Sequence, residues 1–91
     1  MEVTALRNLP SAEGLDAAHA ALWWAARDDW DHAHEAAQSG TGKEADWVHA
    51  HLHRVEGDLE NARYWYARAG QPEAIGPLAA EWEAIARALG A

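Results

Sequence analysis

The sequence contains no cysteine and no phenylalanine, and its only lysine is Lys43. Without cysteine, neither a disulfide nor a zinc site built on thiolates can stabilise the fold. Valine and isoleucine are also few, whereas alanine recurs throughout the chain, and this combination favours helices over strands. The largest apolar side chains are six tryptophans, which we expect to supply much of the core.

The charge of the chain excludes some classes of partner. Its formal net charge is −8 with the histidines neutral, which opposes sequence-independent binding to phosphate backbones, so we expect no nucleic-acid partner. A single lysine gives no polybasic attachment to a membrane, and no apolar run approaches the roughly 20 residues of a membrane span. The first residues lack the features of a signal peptide, so the sequence predicts a cytoplasmic protein.

Glycine and proline divide the chain into regular periodic segments. These segments predict five helices in one domain over 1–91, at 15–27, 29–39, 43–56, 58–69 and 77–89, after an N-terminal extension over 1–14. The links after residues 27 and 56 are so short that each flanking pair must fold back on itself. The predicted fold class is therefore all-α, with two antiparallel helix-turn-helix hairpins over 15–39 and 43–69 and a C-terminal capping helix over 77–89.

Polar side chains at the predicted helix starts support these boundaries. Asp28 or Asp29 can cap the second helix, and Asp58 can cap the fourth. Thr41 and Glu44 have the spacing of a capping box, in which each side chain accepts a hydrogen bond from a backbone donor near the start of the third helix.

The fifth predicted helix has the simplest pattern. Its apolar residues Leu78, Trp82, Ile85 and Leu89 fall on one narrow stripe, with Glu81 elsewhere. We expect this helix to close the exposed end of the second hairpin, as terminal elements do in short repeat arrays.

The two hairpins are related to each other by a shift of 29 positions, which moves Asp29 onto Asp58. The turn segments Asp28-Asp-Trp-Asp-His-Ala33 and Gly57-Asp-Leu-Glu-Asn-Ala62 resemble the G-D-[YW]-x-x-A turn of tetratricopeptide and Sel-like repeats, and Tyr64-Trp-Tyr-Ala-Arg-Ala69 follows the second copy. The resemblance covers about 55 residues and implies a helical-repeat fold. It departs from the family in its short repeat and in Asp28, which replaces the turn glycine. The whole chain also resembles a group of short uncharacterised bacterial proteins.

Three histidines at alternate positions distinguish the third predicted helix. With an advance of about 100° per residue, His51 falls among apolar residues, whereas His49 and His53 share a second face near the fourth helix. A buried imidazole needs hydrogen-bond partners. The candidate partners are His34, Glu56, Asn61, Tyr64 and Tyr66.

Two classes of function remain open from these residues. The first is recognition of a peptide or protein partner, including a second copy of the chain, through an aromatic and His/Arg-lined face, since such residues often anchor interfaces. The alternative is a pocket for a small ligand or a divalent metal such as zinc between the second, third and fourth helices, with His34, His49 and His53 as the metal donors. The predicted ligand-binding residues are His34, Trp47, His49, His53, Arg54, Asn61, Tyr64 and Arg68.

No set of catalytic residues can be identified in the sequence. The H-E-x-x-H motif, the phosphate loop and the dinucleotide fingerprint are all absent, and the only serines are Ser11 and Ser39. The sequence therefore favours a binding protein over an enzyme, and it predicts no cofactor other than the metal of the alternative reading.

Overall fold

Six helices form the fold in the computed structural model, which describes residues 1–90. They are α1 (Val3–Arg7), α2 (Ala17–Ala25), α3 (Trp30–Ser39), α4 (Lys43–Glu56), α5 (Leu59–Ala69) and α6 (Leu78–Ala88). Residues 1–90 form no strand, so the predicted all-α class is confirmed. Within the same residues, no helix is long and apolar enough to cross a membrane.

Aspartates precede three of the helices. Asp16, Asp29 and Asp58 stand before α2, α3 and α5, and each side chain accepts a hydrogen bond from the backbone amide three residues later. These bonds satisfy backbone donors that have no partner within the helix. The predicted caps Asp29 and Asp58 are confirmed, and the ends of α2 lie two residues inside the predicted bounds.

The predicted capping box of Thr41 and Glu44 is wrong. The residue before α4 is Gly42, with a φ of 100°, and no side chain caps this helix. A threonine would adopt that conformation only with strain, whereas glycine does so freely. Gly42 therefore takes the entry position, and Thr41 lies one residue too far from the helix to act as its cap.

The turns after α2 and α4 share a left-handed residue. Asp28 has a φ of 58° in the first turn, and Gly57 has a φ of 87° at the aligned position of the second. Aspartate tolerates this region better than most residues, because its short side chain can bond locally to the backbone. The replacement of glycine by Asp28 therefore preserves the turn, and α2 packs against α3 as α4 packs against α5.

Helix α4 lies at the centre of the molecule, in contact with α2, α3, α5 and α6. The main core cluster joins α1, α2, α3, α4 and α6, and its largest buried members are Leu6, Leu22, Val48, Leu52, Trp82 and Ile85. A smaller cluster of Ala50, Ala62 and Tyr66 lies between α4 and α5. Trp47 packs against both clusters, so it links the two parts of the core.

The two ends of the chain differ from the sequence prediction. Helix α1 lies inside the predicted N-terminal extension, where its five residues are too few to show a periodic pattern. Helix α6 packs against α4 of the second hairpin and also against α1 and α2. Trp82 is buried there, and its Nε1 donates a hydrogen bond to the Leu22 carbonyl at 2.9 Å. Glu81, expected away from the apolar stripe, is buried beside it.

Candidate metal centre

Three imidazoles meet where α3 approaches α4. His34 extends from α3, and His49 and His53 extend from successive turns of α4. One ligand nitrogen of each residue lies within 4.8 Å of those of the other two, and Nε2 of His34 is 3.0 Å from Nε2 of His49. The structure therefore brings together the three residues that the sequence suggests as metal donors. His49 and His53 are only 3% and 6% exposed.

Two tryptophans stack on this cluster. The indole of Trp30 lies parallel to His34 with ring centroids 4.7 Å apart, and that of Trp65 lies parallel to His49 at 3.8 Å. Trp30 is itself fixed, because its Nε1 donates a hydrogen bond to the Leu52 carbonyl at 2.6 Å. Stacking restrains the planes of both imidazoles. The lone pairs of their nitrogens, which lie in those planes, therefore keep fixed directions.

A carboxylate orients the third imidazole. Nδ1 of His53 lies 2.6 Å from Oε2 of Glu56. In the neutral ring Nδ1 donates its hydrogen to the carboxylate, which leaves the lone pair of Nε2 for the cluster. Histidine ligands of metals commonly have such a carboxylate on the remote nitrogen, where it fixes the tautomer and raises the basicity of the ligand.

Two of the imidazoles are uncharged at neutral pH. Burial, with the added repulsion of His34, His53 and Arg68, lowers the pKa of His49 to about 4. Burial also lowers the pKa of His34, as does the neighbouring His53, although nearby carboxylates act in the opposite direction. Neutral imidazole is the form that coordinates metals. His34 and His49 are therefore available as ligands at pH 7 without losing a proton to solvent.

The polar residues predicted on α5 do not reach the cluster. Tyr64 and Arg68 are exposed, with Nη1 of Arg68 3.3 Å from the Tyr64 hydroxyl. Arg68 also pairs with Asp46 across 3.6 Å. Trp65 is the α5 side chain that contacts His49. Of the other predicted residues, Trp47 lies in the core and Asn61 is half-buried in the first turn of α5.

Arg54 belongs to a separate polar network centred on Glu81. Its Nη1 lies 3.0 Å from Oε1 of Glu81, and the same oxygen accepts a hydrogen bond from Nδ1 of His51 at 2.7 Å. The Tyr66 hydroxyl donates to the other carboxylate oxygen. Burial opposes ionisation of Glu81, but the bonds from His51, Tyr66 and Arg54 together hold its pKa below the usual value. The structure therefore does not bring Arg54 to the histidine cluster.

The sequence does not predict that three residues lie beside these histidines, namely Trp30, Trp65 and Glu81. The two tryptophans were expected in the core, and nothing in their spacing shows that they stack on histidines. For Glu81 a signal was present, because it lies three residues after Leu78 and four before Ile85, on the same side of the helix. A carboxylate at that position is the partner that the buried His51 requires.

No protein-family model, curated protein or solved structure matches this chain. Its function must therefore be argued from the geometry and chemistry of the site. The cluster of His34, His49 and His53 has the most sharply defined chemistry among the predicted binding residues.

Proposed function

We propose that the protein binds a divalent transition-metal ion through His34, His49 and His53. Zinc takes neutral imidazole ligands at about 2.0 to 2.1 Å in tetrahedral geometry, which places two of its ligand nitrogens about 3.3 Å apart. The Nε2 atoms of His34 and His49 are 3.0 Å apart, close to that value. This separation, with a third imidazole nitrogen within 4.8 Å, is the observation that carries the proposal.

The donor set also limits which metal fits. Three imidazoles favour zinc, copper, nickel or cobalt, whereas magnesium and calcium require oxygen ligands. Glu56 lies beside the site and favours a cation there, and the negative charge of the whole chain acts in the same direction. Arg68 opposes the cation, but it is exposed and paired with Asp46.

The number of protein ligands indicates the type of site. Structural zinc sites have four protein ligands, whereas sites with three leave one position for water or a substrate. His34, His49 and His53 supply three imidazole donors, so an ion bound to them keeps a position open to an exchangeable molecule.

Metal analysis of protein produced without a histidine tag tests this function. We expect one equivalent of zinc per chain after dialysis, and competition with a chromophoric chelator should show affinity reduced by more than about tenfold in His49→Gln and in His53→Gln. His32→Gln is the matched control, since His32 is 59% exposed and bonded to Asp29 outside the cluster. Wild-type affinity in both cluster variants would contradict the proposal.

A second candidate function is recognition of a peptide or protein partner, including another copy of the chain. Tyr64 favours it, because this aromatic residue is 55% exposed on α5 next to Arg68. Tyrosine and arginine are enriched among the residues that dominate binding at interfaces. For self-association, sedimentation velocity over a range of concentrations should show a larger species that the double variant Tyr64→Ala, Arg68→Ala does not form. Monomeric wild-type protein at every concentration would rule that form out.

A further inference from the structure

An apolar cleft of about 500 Å³ opens on the side of α4 that carries His51. Two indoles and several aliphatic side chains line it, including Trp30, Trp82, Leu52, Val55 and Leu78. Small-molecule sites usually have volumes of roughly 300 to 1,000 Å³ and mostly apolar walls with a few polar groups. The cleft has the size and the lining of such a site.

His51 is the buried polar group of this cleft. It is 3% exposed, and its Nδ1 is committed to Glu81 at 2.7 Å. Arg54 also pairs with Glu81, so the charge of the carboxylate is already balanced. Because Nδ1 of His51 faces Glu81, Nε2 is the ring nitrogen that remains for a molecule in the cleft, and it accepts a hydrogen bond when the ring carries its hydrogen on Nδ1. Among the described residues, no fully buried side-chain nitrogen or oxygen lacks a hydrogen-bond partner, so Nε2 of His51 is reachable from the cleft that this residue lines.

The other polar residues at the cleft favour an uncharged occupant. Arg7 and Asp28 both line it, are exposed and carry opposite charges. The Arg7 guanidinium lies over the Trp82 ring, 4.5 Å from its centroid. Neither sign of charge prevails at the opening, and the inner walls are apolar. A ligand with a net charge would therefore meet one attracting and one repelling group at the opening and would lose hydration against the apolar walls.

We propose that this cleft binds a small uncharged aromatic molecule with a hydroxyl group. The aromatic ring lies against Trp30 and Trp82, where offset or edge contacts between aromatic rings are favourable. The hydroxyl donates a hydrogen bond to Nε2 of His51, whose orientation is set by Glu81. This proposal does not depend on a metal at the histidine cluster.

Titration with para-ethylphenol, followed by nuclear magnetic resonance in the presence of a metal chelator, tests the proposal. We expect saturable shifts of the Trp30 and Trp82 indole signals and of the His51 ring nitrogens. Ethylbenzene, which lacks the donor, should bind about tenfold more weakly, the ratio expected for one hydrogen bond. Equal affinity for the two molecules, or no saturable shift with para-ethylphenol, would overturn the proposal. So would tighter binding of para-ethylbenzoate, since the site would then recognise an anion.

Two substitutions on α6 locate the binding site. Ala79 lines the cleft, whereas its exposed neighbour Ala80 does not. Ala79→Phe should fill part of the cleft and weaken binding of para-ethylphenol by about tenfold or more, while Ala80→Phe should leave it unchanged. Both alanines are exposed, so neither variant disturbs the core. Equal affinity of the two variants would place the ligand elsewhere and refute the assignment.

Discussion

Nε2 of His34 lies 3.0 Å from Nε2 of His49, although the two residues belong to different helices. This distance requires one nitrogen to donate a hydrogen and the other to accept it. Two imidazolium ions at the same separation would repel each other strongly in a buried site. A proton and a metal ion therefore compete for the same pair of atoms, and the predictions on pH and on metal affinity have a common origin.

Acid is expected to destabilise the fold well before the carboxylates protonate. The pKa of His49 falls from 6.5 to about 4 on folding, so the unfolded chain binds more protons between these values and the free energy of unfolding decreases as pH decreases. The loss from His49 amounts to about 2 kcal/mol between pH 8 and pH 5. His34 contributes in the same direction. Urea denaturation of the metal-free protein at several pH values measures the slope.

The variant His49→Gln tests whether His49 causes the dependence of the free energy of unfolding on pH. Its free energy of unfolding should depend less on pH above 5 than that of the wild type, whereas His32→Gln should keep the wild-type slope. Glu81 does not obscure the comparison, because a carboxyl group whose pKa is lowered from 4.5 on folding loses its contribution to stability only as pH falls below about 4.5. An unchanged slope in His49→Gln would show that other groups cause the acid sensitivity.

Glu56→Gln is expected to weaken metal binding by about 10- to 100-fold, the usual effect of losing a carboxylate behind a histidine ligand. The Glu56 side chain is 38% exposed, so the stability of the metal-free protein should change little. Chelator competition measures the first effect and urea denaturation the second. Glu60→Gln removes the same charge from the exposed first turn of α5. An equal loss of affinity in this control would mean that net charge, not the contact with His53, is responsible.

Glu81→Gln should lower the free energy of unfolding by about 2 to 4 kcal/mol, because it leaves a largely buried arginine charge without its counter-ion and weakens two further hydrogen bonds. Glu83→Gln is the matched control on the same helix. Its pair with Arg87 is formed by side chains that are 46% and 72% exposed, and its loss should change stability by about 0.5 kcal/mol or less. Chemical denaturation of both variants measures whether the polar network around Glu81 contributes to the free energy of unfolding.

Gly40→Ala should destabilise the fold by about 1 to 3 kcal/mol through overpacking. A Cβ at this position would lie 2.5 Å from Cβ of Ala17 and 2.9 Å from Cβ of Ala45, and both alanines belong to helices. Gly76→Ala gives a useful comparison, since its Cβ would meet nothing within 4 Å but its φ is 91°, a conformation that costs roughly 1 kcal/mol for alanine. Thermal unfolding of the two variants separates the clash from the backbone effect.

The division of the α4 histidines could be predicted from the sequence because it depends only on the advance per residue along one helix. His51 was expected among apolar residues, and it is 3% exposed. Glu56 and His34 were also among the expected partners, and they bond to His53 and His49. The contact of His53 with Glu56 lies within one helix, whereas that of His49 with His34 also requires α3 to dock on α4.

The surroundings of the site could not be predicted in the same way. Whether Trp65 or Tyr64 reaches His49 depends on the rotation of α5 about its axis, which is set by the packing of the cluster formed by Ala50, Ala62 and Tyr66. The position of α6 depends on where α1 and α2 leave room for it. Both are properties of packing between helices that are distant in sequence, so local spacing carries little information about them.

Helix α4 carries residues of both proposed sites. His49 and His53 lie on one side of it and His51 on the other, about 180° away at 100° per residue. An ion at the histidine cluster and a molecule in the cleft would therefore bind to opposite faces of one helix, which itself contacts most of the fold.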